Sequence, residues 1–238
     1  MLQLVAAVIL ALLPSGAAPA GQTLYLTNCS SCHGDNGQGS AYAPSLIDRP
    51  APLIHFMLDT GRMPAPIADD NDIHRRETKF TQQQIDELVT YIESFTPHPD
   101  LAMPEILPVS RAELQTGQAL FAENCAVCHA PGGNGGAVGY DRVAPSLEHA
   151  TTFVIAEAIR SGPGVMPRFG PDVLTDQQVS DIARYVNAAL QTQTQGYQDI
   201  NAGGLTMGYV GPLAEGIVAW VFGLGSLMLF LRFIGTTK

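Results

Sequence analysis

Cys29-Ser30-Ser31-Cys32-His33 and Cys125-Ala126-Val127-Cys128-His129 are the two stretches on which the reading of this chain turns, and together they use all four of its cysteines. Two thiols three residues apart, with a histidine next in line, have the spacing of c-type haem attachment. The thiols take the two vinyl groups as thioethers, and the imidazole ligates the iron. Zinc ribbons and fingers also use Cys-x-x-Cys pairs, but they place the second pair about 12–20 residues on. Here the pairs start at 29 and 125, a domain length apart. A thioredoxin-like dithiol needs a βαβ context, which is absent. Neither of these readings accounts for a histidine after both pairs. The motifs therefore predict two covalently attached haem c groups, with His33 and His129 as iron ligands.

Working outward from the motifs, the chain is an internal repeat. Gly21-Gln22-Thr23-Leu24-Tyr25 matches Gly117-Gln118-Ala119-Leu120-Phe121, and Ala43-Pro44-Ser45-Leu46 matches Ala144-Pro145-Ser146-Leu147. Gly61-Arg62-Met63-Pro64 matches Gly164-Val165-Met166-Pro167, Thr81–Asp86 matches Thr175–Ser180, and Tyr91-Ile92 matches Tyr185-Val186. Thr81 with Gln84 and Thr175 with Gln178 read as capping boxes. Ile85, Leu88, Val89 and Ile92 follow at helical spacing, as do Val179, Ile182, Ala183 and Val186. Each copy thus opens with a short helix running into its cysteines and closes with an amphipathic one. The Gly- and Pro-rich stretches between them show no alternating strand pattern. Between the copies, Pro97, Pro99, Pro104 and Pro108 favour an extended, semi-rigid spacer.

The two ends are apolar. Leu2–Leu13 followed by Ala18-Pro19-Ala20 has the layout of a secretory signal, with a retained anchor as the alternative. Leu213–Ile234 is 22 residues with only Glu215 and Arg232 charged. At about 1.5 Å per residue it reaches across a ~30 Å hydrocarbon layer. Arg232 and Lys238 on its C-terminal side put that end in the cytoplasm and the repeat outside. The net charge of −10 excludes nucleic acid as a partner. An acidic surface steers basic partners, or serves solubility alone.

These residues resemble class I cytochrome c, in which the first and last helices cross through a glycine and an aromatic four residues on. Gly21/Tyr25 and Gly117/Phe121 match that pattern, with Tyr91 and Tyr185 as their partners. The resemblance implies Pro44 and Pro145 as carbonyl acceptors for the ligand histidines. Met63 and Met166, each in Gly-x-Met-Pro, are the expected sixth ligands, since a thioether raises the potential relative to bis-histidine coordination. Met57 and Met103 read as filler or surface. His55, His74, His98 and His149 do not recur between copies and read as surface or core.

Two such domains before one C-terminal span resemble the dihaem cytochrome cc subunit of actinobacterial-type quinol–cytochrome c reductases. The most discriminating block is Gly211-Pro212-Leu213-Ala214-Glu215-Gly216 with Trp220. The implied fold is mostly α: tandem class I cytochrome c domains plus one C-terminal transmembrane helix. The layout is a signal peptide or anchor at 1–20, domain 1 at 21–96, a Pro-rich linker at 97–110 and domain 2 at 111–195. A juxtamembrane segment at 196–211, the span at 212–234 and a cytoplasmic tail at 235–238 follow. The implied partners are a cytochrome b subunit, a Rieske iron–sulfur subunit, a terminal cytochrome c oxidase and membrane lipid. The implied location is the cell membrane, with the haem domains extracytoplasmic. On this reading the chain carries electrons and has no substrate chemistry of its own. A dihaem peroxidase and a free-standing anchored donor are the alternatives. The stretch Ala65–Phe80, with Asp69-Asp70-Asn71-Asp72, has only Arg168–Leu174 opposite it in the second copy. It is a candidate contact with a partner subunit, or a solvated loop.

Overall fold

The capping boxes and periodic stripes become helices where expected. The structure, a computed structural model, describes residues 20–66, 75–96, 102–139, 142–190 and 217–235. The first half holds α1 (Ala20–Asn28), α2 (Ser30–His33), α3 (Ala51–Asp59) and α4 (Gln82–Glu93). The second holds α5 (Arg111–Asn124), α6 (Ala126–His129), β1 (Gly136–Gly139), β2 (Arg142–Ala144), α7 (Thr152–Ser161) and α8 (Asp176–Tyr185). The last described segment ends in α9 (Gly225–Gly235). Thr81 and Thr175 each form a complete capping box, and Ser110 forms a third with Glu113. Each box satisfies donors that a helix start leaves open.

In each half the entry helix crosses the closing helix at a glycine. A Cβ added to Gly21 would lie 2.1 Å from the Glu87 carbonyl oxygen, and one on Gly117 would lie 2.2 Å from that of Asp181. The backbones touch there because no side chain intervenes. One turn on, Tyr25 and Phe121 fill the space that opens beyond the crossing. Tyr25 packs on Tyr91 and Phe95 at centroid distances of 5.5 and 5.4 Å, and Phe121 packs on Tyr185 at 5.7 Å.

The structure departs from the sequence reading in three places. The loops between the haem motif and the methionine each contain a helix, α3 or α7. In the first, six residues of nine are buried and in the second seven of ten, with none exposed in either, so the run lacks the polar phase that marks an amphipathic helix. The second copy carries a hairpin, β1 antiparallel to β2 with an irregularity between Ala137 and Gly139. Strands of four and three residues, the first of them half glycine, leave little alternation to read. The described part of the linker is no free spacer. The Leu107 amide donates to Ser180 Oγ at 3.0 Å, and Gln177 Nε2 donates to the Pro108 carbonyl at 3.2 Å. These bonds tie residues 102–110 to α8.

The halves join through α3 and α7. Phe56 of the first half lies within the core cluster of the second, and Met57 packs against the same cluster. Arg75 Nη1 donates to the His149 carbonyl at 2.6 Å. The described end of the longer first-copy loop therefore reaches the other half. The acidic run Asp69–Asp72, His74 and His98 lie outside the described residues, as do the proposed leader and the juxtamembrane segment. Among the described residues no helix is long and apolar enough to cross a membrane. The expected span starts within 211–216, which the described residues do not include. From Ile217 to Gly235 the chain is helical, π-helical over Ala219–Leu224 and α-helical from Gly225.

Candidate haem sites

Each Cys-x-x-Cys-His forms one tight turn. The His33 amide donates to the Cys29 carbonyl at 2.9 Å, and the His129 amide to that of Cys125 at 2.9 Å. This places both sulfurs of a pair and the following imidazole beside one another. His33 Nδ1 lies 2.8 Å from the Pro44 carbonyl oxygen, and His129 Nδ1 lies 3.0 Å from that of Pro145. A carbonyl only accepts, so Nδ1 carries the proton and donates it, and Nε2 keeps a free lone pair for a metal. Such an outer partner fixes both tautomer and ring orientation.

The methionines approach from the opposite side of the sequence. Cys29 and Met63 pack against one core cluster, and Cys125 and Met166 against the other. The Met63 amide donates to the Met57 carbonyl at 2.9 Å, which holds its loop to α3. Gly61 and Gly162 turn these loops with positive φ of 61° and 63°. A Cβ on Gly61 would meet the Arg76 carbonyl oxygen at 2.4 Å. Burial pushes the Cys29 and Cys125 thiols up to about 11, with the paired thiol of Cys32 or Cys128 adding to it. These positions favour a neutral sulfur, which a thioether is. The donor set, the oriented imidazoles and the shared apolar floor all suit haem.

One residue of the second site escaped the sequence reading. Arg160 is buried, and its Nη1 donates to the Phe169 and Leu174 carbonyls at 3.0 and 2.7 Å. Its Nη2 pairs with Asp176 at 2.5 Å. One guanidinium thus ties both ends of the loop that follows Met166. The signal available was a lone cation in an apolar run. Arg160→Gln orphans two inward-facing carbonyls, so a loss of about 2–3 kcal/mol is expected. Denaturant unfolding of the holoprotein measures it, with the transition of the second half moving and that of the first staying put.

A second pair also escaped it. His55 and Glu157 face each other across the α3–α7 contact, buried, with His55 Nδ1 2.6 Å from Glu157 Oε1. Among the expected histidines, His55 is a core residue and His149 is exposed.

Two domains of this kind, each with an oriented histidine behind a cysteine pair, define a dihaem c-type cytochrome. Residues 18–96 match the family described as Cytochrome c, and residues 112–186 match Cytochrome C oxidase, cbb3-type, subunit III. The cytochrome bc1 complex cytochrome c subunit of Mycobacterium leprae is 33% identical over 221 residues, covering 90% of this chain and 74% of that one. Its counterpart from Corynebacterium diphtheriae is 30% identical, covering 91% and 79%. A Cbb3-type cytochrome c oxidase subunit CcoP from Azospirillum is 26% identical, covering 70% and 60%. The chain belongs to the family of cytochrome c subunits of the cytochrome bc1 complex, and it carries two covalently bound haem c groups.

Proposed function

We propose that this chain is the membrane-anchored electron relay of a quinol–cytochrome c reductase, taking electrons from a Rieske iron–sulfur subunit beside cytochrome b and passing them towards a terminal oxidase. The duplicated site carries the reading: two cysteine-pinned imidazoles, each aimed by a proline carbonyl. Each haem supplies a one-electron couple at its iron. The chain's residues do the rest. Cys29, Cys32, Cys125 and Cys128 hold the groups covalently, and His33 and His129 ligate through Nε2. Pro44 and Pro145 keep those rings in one tautomer. Met63 and Met166 would supply the remaining thioether donors, which would leave no open position for peroxide or another substrate. Donors held by the chain's own turns would stay in place as an electron passes, so little would reorganise on transfer. The haem domains occupy 21–96 and 111–195.

The anchor reading draws support from Ile217–Gly235. Its large apolar residues are exposed on every face, with Trp220 at 71% and Phe222 at 72%. A continuous apolar surface of that extent needs a cover, and lipid provides one all round. The span then occupies 212–234, with the haem domains outside the cell.

Two measurements test the proposal. Affinity purification of the tagged full-length chain from membranes is expected to bring down a cytochrome b and a Rieske subunit. Recovery of oxidase subunits alone favours the anchored oxidase donor, the reading suggested by the second domain's match to the cbb3-type subunit. Met63→Leu and Met166→Leu are each expected to abolish the methionine–iron absorption band of one haem and lower its potential, leaving the other haem unchanged. Bands that survive both substitutions would remove the methionines from the ligand set.

A further inference from the structure

The helices α3 and α7 hold matching places in the two copies, yet the ionisable groups between them do not match. The first contributes His55 and the second Glu157, where the other copy has Ala156 and Phe56. Glu157 is fully buried, and neither of its oxygens makes a well-directed hydrogen bond among the described residues. Its contact with His55 is close but off line. The imidazole is held from its far side. Gln82 Nε2 on α4 lies 2.8 Å from His55 Nε2 and 3.2 Å from Asp86 Oδ1. Gln82 thus bridges the imidazole to Asp86 on the side away from Glu157. The Phe153 ring stands edge-on to the imidazole at 5.5 Å, which closes the contact with an apolar wall.

A buried pair of this kind is costly beside an apolar contact of the same size. Such pairs serve best to select one register between packed helices. We propose that His55 and Glu157 are positioning residues for electron transfer between the two haem domains: the proton that the pair binds when docked locks α3 to α7 in one register, and its loss releases the lock. The proposal rests on the two-haem relay described above.

The sign of the pH effect follows from the surroundings. Burial pushes His55 down, but the Glu157 carboxylate outweighs it, and the net direction is up. Burial pushes Glu157 up, and His55 offsets only part of that. The other charges facing the pair are Asp59 on α3 and Asp86 on α4, both acidic, and both add to the rise at His55. Arg160, one turn along α7, is committed to Asp176 and the loop carbonyls. With both groups raised, the docked halves bind more protons than the separated ones. Docking is therefore strongest at low pH and weakens as pH climbs through the raised values.

The test uses purified full-length holoprotein. Spin labels at the exposed positions Thr90→Cys and Gln115→Cys report the distance between the halves. Photoreduction of one haem reports the rate of transfer to the other. From about pH 6 to about pH 9 the label distances broaden and transfer slows, by at most about tenfold per pH unit for each linked proton. Glu157→Gln keeps the shape, removes the titrating carboxylate and flattens both profiles. Phe153→Leu, an apolar change in the same contact, lowers docking at every pH and leaves the slope. If Glu157→Gln does not accumulate, His55→Leu with Glu157→Leu removes the pair without orphaning a charge and gives the same flat profile. A flat wild-type profile, or a slope that survives loss of the pair, overturns the proposal. Covalent haem mass and the methionine–iron bands are read on the same samples. Their absence overturns the relay reading, whereas intact haems with a flat profile overturn the lock alone.

Discussion

Cys125→Ala combined with Cys128→Ala is expected to leave the chain with one covalent haem instead of two and to stop electron flow through the subunit. Without thioethers the second prosthetic group would have only the His129 imidazole and the proposed Met166 ligand to hold it, and both sit on elements that the group itself would help to pack. The second domain is small for a self-sufficient core. Phe121, Val154, Ile159, Val179 and Ile182 are buried in it, and Cys125 and Met166 pack at its edge, where the missing group would complete it. The double variant should therefore lose the cooperative melting of its second half and keep that of the first. Intact-mass measurement shows the loss of one tetrapyrrole, and turnover of the quinol–cytochrome c reductase falls to background. A chain that still carries two covalent haems would sink this expectation and the attachment sites with it.

Gly117→Val is the second large effect. The new Cβ would meet the Asp181 carbonyl oxygen at 2.2 Å, its carbon at 2.6 Å and Tyr185 Cβ at 3.0 Å. All three belong to backbone or to the root of a side chain, so none can swing aside. The α5–α8 crossing must open, which separates Phe121 from Tyr185 and lifts α5 away from the cysteine turn it leads into. Overpacking of this kind costs about 1–3 kcal/mol, and the lost aromatic contact adds to it, for a total of about 3 kcal/mol or more. For a domain of this size that lowers the melting temperature by about 15 °C. Gly132→Ala is the control. Its Cβ would approach only the Asn134 side chain, at 3.3 Å, and a change within about 0.5 kcal/mol is expected. Calorimetry of the two holoproteins separates the cases. Equal melting of Gly117→Val and wild type would show that the crossing does not depend on backbone contact.

Much of the site was legible because its chemistry is local. A cysteine pair and the next histidine share one turn, so their geometry is written in adjacent letters. The proline carbonyls needed only a short loop to close on the imidazoles, and the repeat showed which prolines to choose. The proposed methionine ligands stood out through the same repetition. The helix crossings were visible in Gly21 and Gly117 because an aromatic follows each at one-turn spacing. What the sequence hid lay between the copies. α3 and α7 read as loops since their faces are nearly all buried, and periodicity needs a polar phase to be seen. His55, Glu157 and Arg160 gave no repeating signal, because each is unique to its copy.

Sequence alone thus determined the cofactor chemistry, the doubling of the domain and the positions where helices meet, all of them encoded within a few residues or by exact recurrence. Tertiary structure decided how the two copies face each other: Phe56 entering the neighbouring core, Arg75 reaching the His149 carbonyl, and one histidine paired with one buried carboxylate. Contacts between residues 74 or more positions apart depend on the packing of whole helices, and no local pattern of residue types specifies which surfaces will come together.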